Sequence, residues 1–228
     1  MNGARTVAVM QPYFFPYAGY YRLLACADIF VIFDCVQFPR AGRVHRCEVP
    51  GPAGATEWLT LPLAHQPLHV LIGNLAFSAG ARQEFDRRMG RLSWIGKSAG
   101  PAAGPIRAYL AEPLGTVVDY LERGLRLVCS LLGFNPVILR SSSFDLDPRW
   151  RGQQRVIAAA QAAGATHYVN ASGGRSLYDR AGFNEAGIEL GFLTPYDGLF
   201  KHMLFDLTQQ DPAVIAADIR RTAIVETL

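Results

Sequence analysis

A chain of 228 residues suits one large domain, and its composition, half hydrophobic and 18% charged, is typical of a globular protein. The formal net charge of +3, without a run of Lys or Arg, argues against a nucleic-acid-binding protein. No stretch has the roughly 18 uninterrupted apolar residues of a membrane helix, and the start of the chain lacks a signal-peptide pattern, so we expect a cytoplasmic protein without a membrane span.

The four cysteines, at positions 26, 35, 47 and 129, are irregularly spaced and form no Cys-x-x-Cys pair. In a chain long enough to bury a sizeable core, this pattern favours reduced thiols over a disulfide framework. His65 and His69 lie four residues apart, but Pro67 breaks the helix that would place both on one face. We therefore predict no metal site, and the sequence identifies no cofactor.

The beginning of the chain predicts a strand, a helix and a second strand. Residues 6–10 and 29–33 are short apolar runs, which are typical of buried strands. Between them, after a turn with two prolines, residues 17–27 place apolar side chains at helical spacing. Two strands joined by one helix over so short a stretch should be parallel, with a right-handed crossover.

The middle of the chain predicts a β insertion over residues 43–77. Residues 43–49 and 57–63 resemble strands, and the sequence Pro50-Gly51-Pro52-Ala53-Gly54 between them indicates a hairpin turn. Residues 68–77 add a further predicted strand. The insertion is therefore expected to be antiparallel, unlike the strands before it.

A helical segment over residues 82–133 is predicted next. Residues 82–97 and 115–132 both place apolar side chains at helical spacing. Residues 101–105, rich in Pro, Gly and Ala, are predicted to be a linker between these two helices.

Strands and helices alternate again in the last part of the chain. We predict strands at residues 136–140, 166–170 and 188–193, and helices at 148–163 and 212–221. Alternation at both ends predicts a single α/β domain over residues 1–228. Its sheet should be Rossmann-like and mainly parallel, interrupted by the antiparallel hairpin and the helical segment.

A turn rich in tyrosine follows the first predicted strand, at the end of the strand where open α/β sheets bind ligands. Gln11 supplies a donor and an acceptor at the strand tip, and Tyr13, Tyr17 and Tyr20 offer stacking faces with hydroxyls. We expect these four residues to bind substrate. The alternative is a turn of aromatic side chains packed under the sheet edge.

Polar residues also follow the second predicted strand. If the first two strands lie side by side, Asp34 and Gln37 face the same crevice as Gln11. Asp34 is a candidate general base, and Gln37 a candidate substrate ligand. The alternative is that Asp34 caps the following turn, as aspartate often does.

Two further candidates are Cys35 and the motif His45-Arg46-Cys47. On a strand, His45 and Cys47 point to one face and Arg46 to the other. Cys35 with His45 could supply the nucleophile and base that thioester chemistry needs. The alternative is that each cysteine is a small hydrophobic residue of the core.

A glycine-rich turn after the strand at 166–170 is the last candidate. Ser172, Gly173, Gly174, Arg175 and Tyr178 stand between a strand and a short helix. Paired glycines let the backbone approach a ligand, and Arg175 could hold a phosphate or carboxylate. The alternative is a flexible turn followed by a capping serine.

The run Val9-Met10-Gln11-Pro12-Tyr13-Phe14-Phe15-Pro16-Tyr17-Ala18-Gly19-Tyr20 resembles the opening signature of the WbqC-like family, and Asp28-Ile29-Phe30-Val31-Ile32-Phe33-Asp34 with Val36-Gln37 continues it in register. Ser172-Gly173-Gly174 with Tyr178 is similar to the family's Gly-rich turn. Two positions depart from the pattern. Cys35 stands where the family usually has a second acidic residue, and His45-Arg46-Cys47 replaces an Asn-Arg-Asn stretch, so only Arg46 keeps the family's residue type there.

The family occurs in bacterial O-antigen and other cell-surface polysaccharide gene clusters, with glycine transfer onto an amino sugar as a suggested role. The resemblance implies an acyl or aminoacyl transfer in polysaccharide or specialised metabolism. We hypothesise a transferase that forms an amide on a small amine, such as a nucleotide-linked amino sugar, with an acyl or peptidyl carrier protein as a partner that delivers the donor. In this hypothesis Asp34 frees the amine, Gln11, Tyr13, Tyr17 and Gln37 orient the substrate, and Arg46 and Arg175 hold its anionic groups.

The opening strand and turn are also similar, more faintly, to the start of the nucleotidylyltransferase superfamily. Tyr17 and Tyr20 stand near the positions of that superfamily's phosphate-binding histidines, and tyrosine carries no positive charge near neutral pH. Two alternatives therefore stay open. One is a nucleotide-activating enzyme that uses Mg²⁺, and the other is a non-catalytic partner of a biosynthetic enzyme.

Overall fold

The computed structural model describes residues 3–51 and 55–227, and a six-stranded, mostly parallel sheet forms its centre. The strands are β1 (Thr6–Met10), β2 (Ile29–Ile32), β3 (Arg46–Pro50), β4 (Thr56–Thr60), β5 (Val137–Arg140), β6 (His167–Asn170), β7 (Glu189–Leu193) and β8 (Val225–Thr227). The central sheet has the order β5-β2-β1-β6-β7-β8. Only β8, at one edge, runs antiparallel to its neighbour. The predicted Rossmann-like α/β fold is confirmed.

Helices cover both faces of this sheet. They are α1 (Ala18–Cys26), α2 (Ala81–Met89), α3 (Ser93–Lys97), α4 (Ala103–Ala111), α5 (Val117–Leu132), α6 (Gly152–Ala162), α7 (Arg180–Glu185), α8 (Met203–Gln209) and α9 (Pro212–Thr222). Successive strand residues point to opposite faces, so Ala8 belongs to the core under α1, α5 and α9, whereas Val7 and Val9 belong to the core under α6 and α7. Burial on both faces explains why the central strands are continuous apolar runs.

The insertion contains the predicted hairpin and lacks the further strand. β3 and β4 pair antiparallel from Arg46 opposite Thr60 to Pro50 opposite Thr56. Three residues of the predicted turn, Pro52-Ala53-Gly54, lie outside the described residues. The prediction of a strand at 68–77 is wrong, because this stretch makes only isolated bridges and one 3-10 turn, Ile72–Asn74. Pro67, which has no N–H to donate, precedes it.

The helical segment is more broken than its pattern predicts. The single helix expected at 82–97 is divided into α2, which ends at its C-cap residue Gly90, and α3. The linker expected at 101–105 instead contains the start of α4. Pro105 fits there because the first turn of a helix does not use its N–H groups. α8 and β8 were not predicted from the sequence.

Among the described residues, no helix is both long enough and apolar enough to cross a membrane.

Candidate functional site

A cavity of about 870 Å³ lies at the carboxyl ends of the central strands, and we call it the central cleft. Gln11 enters it from the end of β1, Phe33 and Cys35 from the end of β2, and Tyr178 from the segment after β6. β1 has β2 on one side and β6 on the other, so the chain order reverses at this point of the sheet. Such a reversal is where open α/β sheets bind ligands.

The remaining lining of the central cleft is apolar or basic. The apolar wall consists of Val36, Leu71, Leu146, Pro148, Val156 and Leu177. The polar and basic groups are Gln37, His69, Gln153 and two arginines, Arg151 and Arg155. No Asp or Glu among residues 3–51 and 55–227 lines it. An anionic ligand with an apolar part is therefore the kind that this lining suits best.

Cys35 sits against a guanidinium in the central cleft. Its Sγ atom lies 3.2 Å from Nη1 of Arg155 and 3.1 Å from Oγ of Ser141. Arg155 is only 9% exposed, and its Nη1 also donates to the carbonyl of Cys35 at 2.8 Å. A partly exposed thiol beside a positive charge is the environment in which reactive cysteines occur.

Asp34 lies beneath the cleft and does not line it. Its Oδ1 accepts hydrogen bonds from Ser141 Oγ and from the backbone N–H of Ser142, both at 2.9 Å, and its Oδ2 accepts one from Ser142 Oγ at 2.6 Å. The residue is 2% exposed. These contacts join the end of β2 to the 3-10 turn after β5. Asp34 therefore caps a turn of the neighbouring strand, and not the turn that follows it in the chain.

The tyrosines of the first turn pack into the protein, and only Gln11 of that group lines the cleft. The Tyr20 hydroxyl donates to the Gln11 carbonyl at 2.8 Å, and its ring lies 5.3 Å from that of Tyr13. The Tyr17 ring meets Tyr196 at 5.7 Å. Burial raises the pKa of Tyr13 and, more strongly, that of Tyr20, so both hydroxyls stay protonated at neutral pH. This geometry matches the alternative of an aromatic turn under the sheet edge.

The structure does not bring Cys35 and His45 together. His45 lines a different cavity, of about 440 Å³, on the side of the hairpin. Burial, with help from the charges of Arg46 and Arg88, lowers the pKa of His45 to about 4. Arg46 lies 4.3 Å over the ring of Trp58 and donates to the carbonyl of Gly42, so it too stays on the hairpin. Neither His45 nor Arg46 lines the central cleft.

Of the residues predicted in the glycine-rich turn, Tyr178 lines the cleft, and its neighbour Leu177 does so too. Ser172, Gly173 and Gly174 form the 3-10 turn after β6 and do not line it. The Arg175 guanidinium pairs with the carboxylate of Glu226 on β8 and lies 5.3 Å over the ring of Phe192. The predicted role of Arg175 in holding a substrate anion is thus not supported by its contacts, because its charge is already neutralised.

The basic residues of the cleft were missed from the sequence. Arg151 and Arg155 belong to the run Arg149-Trp150-Arg151-Gly152-Gln153-Gln154-Arg155, which precedes α6 and continues into its first turn. The pattern that could have indicated them is a cluster of arginines at the start of a predicted helix that follows a parallel strand. In the part of the chain that the structure describes, no group of three or more His, Cys, Asp or Glu side chains could hold a metal ion.

Known proteins match the part of the chain that contains the central cleft. The model of the WbqC-like protein family matches residues 11–201, a range that includes every residue of the central cleft. "Uncharacterized protein Rv1507c" of Mycobacterium tuberculosis (strain ATCC 25618 / H37Rv) is 27% identical over 201 residues, which are 85% of this chain and 84% of that protein. No solved structure matches the chain.

Proposed function

The chain belongs to the WbqC-like protein family, and from this membership and the central cleft we propose that it is an acyl or aminoacyl transferase that forms an amide on a small amine, such as an amino sugar. The observation that supports this proposal most is the position of Cys35, which lines the cleft and has its sulfur 3.2 Å from Nη1 of Arg155. The pathways that we propose are bacterial polysaccharide or specialised-metabolite biosynthesis.

Cys35 differs from the other three cysteines in its surroundings. Burial raises the pKa of Cys26 to about 11 and that of Cys129 to about 12, and it raises the pKa of the fully buried Cys47 further. None of these three lines the central cleft. Of the four cysteines, Cys35 is therefore the one whose position lets it react with a substrate in the cleft.

The proposed reaction has two steps on this sulfur. The Cys35 thiolate attacks the carbonyl carbon of a thioester donor, a new C–S bond forms, and the donor's C–S bond breaks to release its thiolate, which takes up a proton. The amine nitrogen of the acceptor then attacks the Cys35 thioester. The C–N bond forms, the C–S bond to Cys35 breaks, and the sulfur keeps the electron pair while the amine proton passes to water. Splitting one acyl transfer into two steps is the usual advantage of covalent catalysis.

The other polar groups of the cleft would position the substrates. Gln11, Gln37 and Tyr178 line the cleft around Cys35 and offer amide and hydroxyl groups to an acceptor. Asp34 acts at a distance in this proposal. It holds Ser141, whose Oγ also accepts the backbone N–H of Cys35 at 3.3 Å, and it thereby fixes the backbone on which the nucleophile stands.

The test is acyl loading of the purified protein by an aminoacyl thioester, followed by intact-mass spectrometry. We expect one acyl adduct on the wild-type protein, its loss in Cys35→Ala, and its retention in the matched control Cys26→Ala. Adding a small amine should discharge the adduct and release an amide. Amide formation by Cys35→Ala at the wild-type rate would contradict the covalent route.

A nucleotide-activating enzyme remains the alternative, and the two arginines of the lining favour it in one respect, since they suit nucleotide phosphates. A Mg²⁺–nucleotide complex also needs oxygen ligands, and carboxylates are the side chains that usually provide them. The described residues place no carboxylate in the lining. Substrate-dependent release of pyrophosphate from ATP, with no acyl adduct on Cys35, would favour this alternative over the transferase.

A further inference from the structure

The central cleft carries positive charge that forms no ion pair with a carboxylate of the described residues. Arg151 and Arg155 both line it, and neither makes an ion pair within residues 3–51 and 55–227. Arg155 is nine-tenths buried, and a buried charge that is not paired is costly. The carboxylate of Asp147 is near enough for the charge of Arg155 to help lower its pKa, but it forms its ion pair with Arg149. Other arginines around this part of the fold do have partners, such as Arg149 with Asp147 and Arg175 with Glu226. An anion that enters the cleft would supply the missing negative charge.

Both guanidiniums keep N–H groups for such an anion. Arg155 donates from Nε to the Trp150 carbonyl, from Nη1 to the carbonyl and sulfur of Cys35, and from Nη2 to the Asp147 carbonyl. A guanidinium has five N–H groups, so one hydrogen of Nη2 has no acceptor among the described residues. Arg151 is exposed, and among the described residues it donates only from Nη1, to the carbonyls of Pro148 and Trp150.

The start of α6 adds to the same positive region. Gly152 and Gln153, its first two residues, line the cleft beside Arg151, and the side chain of Arg151, the N-cap residue of this 11-residue helix, makes no capping hydrogen bond. The amino end of a helix carries partial positive charge and exposes N–H groups that bind phosphate. We call Arg151, Gly152, Gln153 and Arg155 the basic rim.

Building on the proposed acyl transfer, we propose that the basic rim binds the phosphate of a phosphate-bearing substrate whose reacting group reaches Cys35. Arg155 contacts the Cys35 sulfur directly, so the anion site and the nucleophile share one cavity. Leu146, Pro148 and Leu177 line the same cavity and suit an apolar spacer between the two ends of the substrate. A volume of about 870 Å³ is enough for a molecule of that kind.

Two substrates of the proposed reaction can bring this phosphate. One is the donor, as an acyl thioester of phosphopantetheine, and the other is the acceptor, as a nucleotide-linked amino sugar with its diphosphate. The chemistry that the basic rim recognises is the same in both, a phosphoryl group next to a less polar chain.

Isothermal titration calorimetry on the full chain tests this site with two matched pairs of ligands. The first pair is 4′-phosphopantetheine and pantetheine, and the second is UDP-N-acetylglucosamine and N-acetylglucosamine. We expect the phosphate-bearing member of at least one pair to bind about tenfold or more tightly than its partner, which corresponds to about 1.4 kcal/mol. Preference within the first pair assigns the phosphate to the donor, and preference within the second assigns it to the acceptor.

Variants connect the preference to the basic rim. Arg151→Ala should remove most of the phosphate preference, and Arg151→Glu should weaken binding of the phosphate-bearing ligand further. Arg149→Ala is the matched control, because Arg149 is exposed, pairs with Asp147 and does not line the cleft. Equal affinities within both pairs, absence of binding by all four ligands, or a preference unchanged in both Arg151 variants would overturn the proposal.

The same titrations in Cys35→Ala separate this site from the acyl transfer. Since the alanine keeps the basic rim, the phosphate preference should persist there. If the phosphate preference persists but the wild-type protein forms no acyl adduct, the covalent transfer through Cys35 is contradicted and the phosphate site is supported. The opposite outcome is an adduct that forms equally well from aminoacyl pantetheine and aminoacyl phosphopantetheine, with equal affinities in both titration pairs. It would support the covalent transfer and contradict the phosphate site.

Discussion

The carboxylate of Asp34 lies 2.6 Å from the hydroxyl of Ser142, across the gap between the ends of β2 and β5. With the backbone N–H of Ser142 and the hydroxyl of Ser141, three donors converge on one buried carboxylate. β2 and β5 are neighbours in the sheet but more than a hundred residues apart in the chain. This contact therefore holds together the ends of the two strands beneath the central cleft.

Asp34→Asn should therefore reduce stability first and activity only in consequence. An amide nitrogen cannot accept a hydrogen bond, so one buried donor loses its acceptor, at a cost of about 1–3 kcal/mol in the free energy of unfolding. Urea denaturation measures the loss, and Ser142→Ala, which removes one donor and leaves the carboxylate, should cost less. A variant with wild-type stability and no amide formation would instead support Asp34 as the general base.

Tyr20 and Tyr21 offer a matched test of the aromatic turn. The Tyr20 hydroxyl donates to the Gln11 carbonyl, whereas the buried Tyr21 hydroxyl has no partner among the described residues. Tyr20→Phe should cost about 1 kcal/mol of unfolding free energy, because the Gln11 carbonyl loses a donor, and Tyr21→Phe should be neutral or slightly stabilising. Thermal and urea unfolding of both variants measure this. A Tyr20→Phe variant that unfolds like wild type but binds substrate weakly would make the hydroxyl a ligand contact.

Alkylation should distinguish Cys35 from the other thiols. At about pH 8, iodoacetamide should modify one cysteine of the folded protein, because Cys35 lines an open cleft, whereas burial raises the pKa of Cys26, Cys47 and Cys129 and keeps them protonated. Intact mass and peptide mapping should place the adduct on Cys35, and all four thiols should react in urea. Cys35→Ser should block the fast reaction. Modification of Cys26 at the same rate as Cys35 would contradict the difference that we infer.

The sequence predicted the central strands and the crevice well, because both depend on local patterns. Apolar runs without alternation predict buried parallel strands, and β1 begins and ends where its pattern predicts. Gln11 and Gln37 were placed in the crevice by the rule that polar residues after neighbouring parallel strands share one edge. What the residues touch is harder to predict, since Arg155 reaches Cys35 across 120 positions.

The tyrosines are where the predicted site and the lining of the central cleft differ most. The ring of a tyrosine suits a core and its hydroxyl suits a ligand, so Tyr13, Tyr17 and Tyr20 fitted both interpretations of the turn. The observed contacts of Tyr20 match the interpretation as core. Tyr20 lies on α1 with its hydroxyl directed at the Gln11 carbonyl, which an aromatic side chain can satisfy from within the core. No pattern in the sequence indicates the direction of that hydroxyl.

Two half-buried titratable groups, His45 and Asp206, should give opposite pH dependence between about pH 4 and 6. Burial lowers the pKa of His45 from 6.5 to about 4, so the unfolded chain binds more protons there and stability rises with pH across this window. Burial raises the pKa of Asp206 from 3.8 to about 6, so the folded protein binds more protons and stability falls with pH across the same window. In the wild-type protein these two contributions offset each other in part.

Single substitutions should expose each contribution. Asp206→Asn leaves the His45 contribution, so its stability should rise more steeply than wild type from pH 4 to 6, by about 1–2 kcal/mol after allowance for solvent screening. His45→Gln should change the slope in the opposite direction by a similar amount. Urea denaturation at several pH values measures both slopes relative to wild type, so that the other titrating groups cancel. Parallel curves for all three proteins would show that neither group is perturbed in the fold.

Gly173 and Gly174 test whether the glycine-rich turn serves packing or a ligand. A Cβ on Gly174 would lie 2.7 Å from Nδ2 of Asn170, whereas a Cβ on Gly173 would meet nothing within 4 Å. Gly174→Ala should therefore cost about 1–3 kcal/mol in unfolding free energy, and Gly173→Ala should stay within about 0.5 kcal/mol of wild type. Because neither glycine lines the central cleft, Gly173→Ala should also keep wild-type ligand affinity in the calorimetric titrations. A stable Gly173→Ala protein that no longer binds would mean that the ligand approaches the backbone of this turn, and would extend the site beyond the central cleft.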